Sequence, residues 1–103
     1  MNLSELGHFS DPALLILASL AGGPKHGYAM MEDIEDLAGV RLGPGTLYGA
    51  LARLEQRGLI EALPAQDRRR PYRLTAVGET VLREHLKSLE HFTAGSLRRL
   101  ATQ

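Results

Sequence analysis

Residues 43–75, GPGTLYGALARLEQRGLIEALPAQDRRRPYRLT, constrain the fold of this chain more than any other stretch. Gly43 suits a helix N-cap and Pro44 the first helical position, where its missing N–H costs nothing. Gly58 suits the left-handed residue that stops a helix. Between them Leu47, Leu51 and Leu54 recur at helical spacing and make one buried stripe. The opposite side carries Thr46, Gly49 and Arg53, with Gln56 nearby. Two short strand-like pieces follow, 59–63 and 71–74, joined by a loop that holds Asp67, Arg68, Arg69 and Arg70. A helix at about 43–57 followed by a basic-tipped wing at about 59–74 is the working end of a winged helix-turn-helix. The expected fold is mainly α with a small β-hairpin, in which a winged helix-turn-helix over 1–74 precedes a long C-terminal dimerisation helix over 75–103.

The rest of the chain supplies the supports. Asp11-Pro12 caps and opens a helix over 12–20, and its run Ala13–Ala18 is apolar nearly all round, so it needs cover on more than one face. Part of that cover is expected from a second subunit. Gly22-Gly23-Pro24 ends this helix, and Lys25-His26-Gly27-Tyr28 opens another, through about Leu37, with Met31, Ile34 and Leu37 or Ala38 facing inward. Lys25 and Tyr28 stand at that helix start, where DNA phosphates are commonly held. Tyr28 is equally readable as a core aromatic with its hydroxyl at the rim. His26 has no partner at metal-ligand spacing and reads as a turn residue.

Thr75 is a suitable N-cap for a final helix to about Ala101, ~37 Å long at 1.5 Å per residue. Its apolar positions alternate threes and fours, through Val77, Val81 or Leu82, Leu86, Leu89, Phe92 or Thr93, Leu97 and Leu100. That spacing is a seam for another helix, although Gly95-Ser96 weakens the helix near its end. The surplus apolar surface calls for a symmetric homodimer, with Leu14, Leu17, Leu82, Leu86, Leu89, Phe92 and Leu97 at the interface.

Charge is balanced overall and separated along the chain. With 12 basic and 12 acidic side chains the net charge is zero. Residues 1–38 nevertheless sum to −5, residues 39–75 to +4 and residues 76–103 to +1. Phosphate binding depends on the local field, because screening limits its reach to about 8 Å at physiological salt. A neutral chain with a basic helix and wing therefore remains a DNA-binding candidate. The absence of cysteine excludes disulfides and thiolate metal sites. No apolar run approaches the roughly 20 residues of a membrane helix, and no signal peptide is visible, so a cytoplasmic location is expected.

Three segments together resemble the PadR family of transcriptional regulators: LLILASLAGGPKHGYAMMEDIE, GTLYGALARLEQRGLI and RRRPYRLTAVGETVL. The resemblance spans about residues 12–100. It implies the short-tailed branch, with one helix after the wing, binding as a dimer to a pseudo-palindromic operator and repressing a neighbouring gene. Many relatives carry proline at the position of Gly49; glycine there costs about 1 kcal/mol of helix propensity against alanine and lets DNA come closer. In a complex, Pro44, Gly45, Thr46, Tyr48 and Gly49 would lie near base edges or phosphates in the major groove, with Arg53 reaching a phosphate or a guanine. Arg68, Arg69 and Arg70 would hold the backbone or enter a narrow minor groove. Tyr48 lies one place from the Leu47 stripe and is expected to be partly core. An arginine run is otherwise a solvated loop, and its place at a wing tip is what favours contact.

The resemblance also implies a small aromatic or amphipathic effector sensed near the dimer interface, and repression relieved by it. No tryptophan is present to wall such a pocket. His8, Phe9, His85, His91 and Phe92 are the groups available, each with a plain packing role, and no effector site follows from them. No cofactor, metal site or catalytic residue is expected: Glu32, Asp33, Glu35 and Asp36 read as a solvated helix face, and no phosphate loop or His–Glu motif occurs. The competing reading is a winged-helix module used for protein–protein contact, since fold alone does not fix function.

Overall fold

A computed structural model describes residues 11–102; His8 and Phe9 lie outside the described residues. Helix α1 spans Pro12–Ala21, and the Asp11 carboxylate caps it by accepting the Ala13 N–H at 3.0 Å. Leu15, Ile16, Leu17, Ser19 and Leu20 are buried, and α1 is packed by α2, α3, β3 and α4 of the same chain. The cover expected from a second subunit therefore comes largely from its own protomer. Ser19, polar and buried, donates its hydroxyl to Asp33 at 2.7 Å, which satisfies the hydroxyl inside the core.

A two-residue strand, β1 (Lys25–His26), follows, then α2 (Gly27–Ala38). Gly39 ends α2 at φ 68°, in the left-handed region that glycine adopts without a Cβ clash. The inward pair on α2 is Met30 and Ile34, both fully buried. This corrects the inward face expected from the sequence: Met31 is half-buried and Leu37 is 59% exposed. Leu42, in the turn after α2, joins the same core, while the last turn of α2, residues 35–38, is exposed.

Helix α3 (Pro44–Gln56) buries Leu47, Ala50, Leu51 and Leu54, and Gly58 at φ 74° reverses the chain. Strand β2 (Ile60–Ala62) pairs antiparallel with β3 (Pro71–Leu74), Glu61 opposite Arg73 and Ala62 opposite Tyr72. The sheet has three strands in the order β1-β3-β2, because Lys25 and His26 pair with Tyr72 and Pro71 on the free edge of β3. The hairpin expected from the sequence is thus part of a larger sheet. The added strand fixes the start of α2 beside the wing.

Helix α4 runs unbroken over Ala76–Ala101. Thr75 caps it by accepting the Gly78 N–H at 3.0 Å and donates its own hydroxyl to the Gly58 carbonyl at 2.6 Å, which ties α4 to the end of α3. Gly95-Ser96 does not interrupt the helix; the Ser96 hydroxyl donates back to the Phe92 carbonyl at 2.8 Å. Only Gly78 and Leu82 of α4 are buried. The Cα radius of gyration is 15.4 Å, against about 13 Å for a compact chain of this length. The excess comes from α4, whose later turns run clear of the body. Leu17 and Leu82, assigned from the sequence to a subunit interface, are 5% and 4% exposed within the protomer's own core. On that side α1 packs against α2, α3, α4 and β3, and α4 packs against α1 and β3, all within one protomer.

Candidate nucleic-acid interface

The exposed face of α3 carries Pro44, Gly45, Thr46, Tyr48 and Arg53, with Gly49 half-buried among them. A Cβ at Gly49 would sit 3.6 Å from Arg53 Nη1, so the guanidinium folds back over the glycine. Tyr48 is 51% exposed, and one edge of its ring rests on Gly27 at the start of α2. Tyr28 is 59% exposed, which decides between its two readings: it is a surface tyrosine.

The wing is built by backbone pairing. Gln66 and Arg69 exchange N–H···O bonds of 2.7 and 2.8 Å, enclosing Asp67 and Arg68 as a two-residue turn. Both central residues have positive φ, 49° and 66°, the pattern of a type I′ hairpin turn whose twist matches the flanking strands. Asp tolerates that conformation and Arg resists it, at roughly 1–2 kcal/mol. Two of the three arginines also reach back toward the domain: Arg70 donates to the Leu63 carbonyl at 3.2 Å, and Arg69 Nη1 lies 3.3 Å from His26 Nε2.

Wing and helices enclose a cleft of about 340 Å³ that His26, Tyr28, Tyr48, Arg68, Arg69, Arg70 and Tyr72 line together with Gly27. The site residues Tyr28, Tyr48 and the three arginines are thereby brought to one place. Lys25 is not among them. Its ammonium donates to the carbonyl of Ser19 at 2.5 Å and lies 3.6 Å from Asp33, so it braces the α1–α2 link. The carbonyls of Ser19 and Gly23 and the Asp33 carboxylate meet its charge locally.

His26 and Tyr72 are cleft residues that the sequence does not single out as such. His26 caps α2, Nδ1 accepting the Ala29 N–H at 3.3 Å; a histidine just before Gly-Tyr-Ala-Met at a helix start is the signal that marks it. Tyr72 lies on β3, and burial pushes its phenol above the ordinary value of 10.0, with Glu55 adding to the effect and Arg70 opposing it. Its signal is the alternation of Pro71-Tyr72-Arg73-Leu74, which places it on one face of the sheet. Among the described residues no group of three histidines, aspartates or glutamates is placed to hold a metal, and no helix is long and apolar enough to cross a membrane.

A helical core, a recognition-type helix with an exposed polar face and a wing folded beside it together define a winged helix-turn-helix protein. Residues 16–84 match the model of the transcriptional regulator PadR-like family, and the chain belongs to that family. It is 39% identical over 80 residues to a transcriptional regulator of Mycobacterium tuberculosis, covering 75% of this chain and 74% of that protein. It is 30% identical to the transcriptional activator GvpE2 of Halobacterium salinarum, over 82% of this chain and 42% of the activator. It is also 48% identical to an uncharacterised transposon-borne protein of Streptomyces fradiae, of which it spans only 23%. Among solved structures, a PadR family transcriptional regulator from Eggerthella lenta superposes with a TM-score of 0.75 at 28% identity, over 98% of this chain and 94% of that one. A transcriptional regulator from Clostridium thermocellum gives 0.72 at 27%, over 84% and 89%. The family and its characterised relatives are transcriptional regulators and not enzymes.

Proposed function

We propose that this chain is a sequence-specific DNA-binding transcriptional regulator that acts as a homodimer on a pseudo-palindromic operator. The observation that carries the reading is the convergence of Arg68, Arg69 and Arg70 with Tyr28 and Tyr48 on one cleft beside the exposed face of α3. The N-terminal turns of α3, from Pro44 to Gly49, enter the major groove, and Arg53 reaches a phosphate or a guanine edge. The wing arginines hold the backbone on either side. The segment through Leu74 binds DNA, and α4 joins two copies through Leu86, Leu89, Phe92 and Leu97, with Leu14 at the margin. In such a dimer the two α3 helices read half-sites about 34–36 Å apart, or a multiple of that spacing.

Repression is the proposed output, since a dimer seated on its operator occludes the polymerase, and an aromatic or amphipathic effector relieves it. The Halobacterium relative is by name an activator, so the sign is read directly with a reporter driven by the chain's own upstream region. DNA binding itself is tested by titrating the protein onto that upstream duplex and onto a random duplex across a salt series. Replacing Arg68, Arg69 and Arg70 with alanine is expected to weaken binding and to lower the salt slope by ~0.9 for each phosphate no longer neutralised. Unchanged affinity and slope remove the wing from the mechanism. No binding to either duplex at low salt leaves the fold serving protein–protein contact.

A further inference from the structure

A neutral imidazole carries one ring proton, and the surroundings of His26 fix its position. Nδ1 accepts the Ala29 N–H at 3.3 Å to cap α2, so Nδ1 holds the lone pair and Nε2 holds the proton. Nε2 faces Arg69 Nη1 at 3.3 Å. A guanidinium nitrogen has no lone pair to offer. With the ring proton on Nε2, His26 and Arg69 meet there as two exposed donors, and neither satisfies the other.

Backbone pairing holds the two residues there. His26 is in register with Pro71 across β1 and β3, and Arg69 is bridged to Gln66 across the wing tip. Asp67, the carboxylate of the wing turn, borders a second cleft with His26 and Arg69, but the ion pairs of the described residues do not include it. Both groups are open to solvent, and an anionic oxygen placed between them is an acceptor that satisfies both donors at once. His26 and Arg69 also border the cleft shared with Tyr28, Arg68 and Arg70.

We infer that His26 and Arg69 form a two-donor clamp on one non-bridging phosphate oxygen of the DNA backbone. The inference rests on the DNA-binding reading above. In it the two residues have separate roles. Arg69 supplies charge, which displaces a counterion and contributes to the salt dependence. His26 supplies a neutral, directed N–H, which adds affinity with no counterion of its own. The clamp also joins the start of α2 to the wing through the DNA, so that the phosphate sets the distance between them.

His26→Asn tests this without removing the helix cap, because asparagine is itself a favoured N-cap acceptor. The variant is titrated onto duplex DNA from the gene's own upstream region across a salt series, beside wild type, Arg69→Ala and the double variant. His26→Asn is expected to bind about three- to tenfold more weakly, with an unchanged salt slope and unchanged thermal melting. Arg69→Ala lowers both affinity and slope, and adding His26→Asn to it costs less than a further twofold. Wild-type affinity in His26→Asn, or full additivity in the double variant, overturns the clamp while leaving DNA binding intact. So does a nitrogen-15 spectrum of the free protein with the His26 proton on Nδ1. If wild type binds no duplex at any salt, the DNA-binding reading fails and the clamp fails with it.

Discussion

The ring of Tyr48 on α3 lies directly against the backbone of Gly27 at the start of α2: a Cβ built on Gly27 would stand 2.7 Å from the Tyr48 phenolic oxygen and 2.9 Å from Cζ. Glycine is required here by proximity, since the residue is an ordinary helical one. The contact fixes the angle at which Tyr48 leaves α3.

Gly27→Ala is therefore expected to displace the Tyr48 ring. The buried Leu47 Cδ2, 3.2 Å from the added methyl, has to yield by a few tenths of an ångström. Better helix propensity at alanine offsets part of that strain, so stability changes by only about 1 kcal/mol. DNA affinity falls several-fold, because the ring moves and the fold does not. Tyrosine fluorescence follows the ring, and a duplex titration follows the binding. Native affinity together with a displaced ring would take Tyr48 out of the interface.

Much of this geometry can be read from residue order, and the reasons differ by element. Helix α3 is marked at both ends by Gly43-Pro44 and Gly58, and its leucines at 47, 51 and 54 are the buried ones. Helix α4 is marked by the Thr75 cap. Strand β1 has no comparable mark, since two residues carry no periodicity and its pairing to Tyr72 is set by a chain segment more than forty positions away. The inward face of α2 differs from the sequence reading in having Met30 in place of Met31, because both are apolar and one turn of apolar residues does not say which of two neighbours pairs with Ile34 in the core. Leu17 and Leu82 belong to genuine apolar stripes; periodicity reports that a stripe is buried and not by which copy of the chain. His26 reads as a turn residue in the sequence because its partners, Ala29 and Arg69, come from a cap and from the distant wing.

Gly78 is a close approach between α4 and the backbone of Leu59. A Cβ there would fall 1.9 Å from the Leu59 carbonyl oxygen, and that oxygen also accepts the Thr75 N–H at 3.1 Å. Both groups are backbone and cannot rotate aside. Gly78→Ala is expected to cost about 3 kcal/mol, the upper range for overpacking a close contact. Urea denaturation at fixed protein concentration measures it. A loss below about 0.5 kcal/mol, the ordinary scatter of surface substitutions, would mean that α4 does not leave the sheet as described.

Arg68 holds a left-handed backbone at φ 66°, a conformation that glycine adopts freely and that an Asp-Gly turn favours. Strain of this kind persists where another demand outweighs it. Arg68→Gly is expected to stabilise the fold by about 1 kcal/mol and to weaken DNA binding, lowering the salt slope by ~0.9 for the one phosphate no longer neutralised. The two effects have opposite signs, so one variant reads both. A stabilised variant with wild-type affinity and slope would show that the turn residue does not touch DNA.

The seam on α4 separates folding from assembly. Leu86, Leu89, Phe92 and Leu97 are exposed on the protomer, Phe92 by 69%, while Leu82 on the same helix is buried in the core. Full burial of a leucine or phenylalanine contributes about 1.5–3 kcal/mol, so a stripe of four suffices to join two copies and contributes little to either alone. Leu89→Glu is accordingly expected to leave protomer folding nearly unchanged and to turn a dimer into a monomer by sedimentation equilibrium. DNA binding then falls to that of a single half-site. Leu82→Ala gives the opposite pattern, a loss of about 2–5 kcal/mol in folding from the cavity it leaves, before any effect on assembly. A Leu89→Glu protein that sediments as the same species as wild type would remove α4 as the interface, and the apolar stripe would then need a different partner.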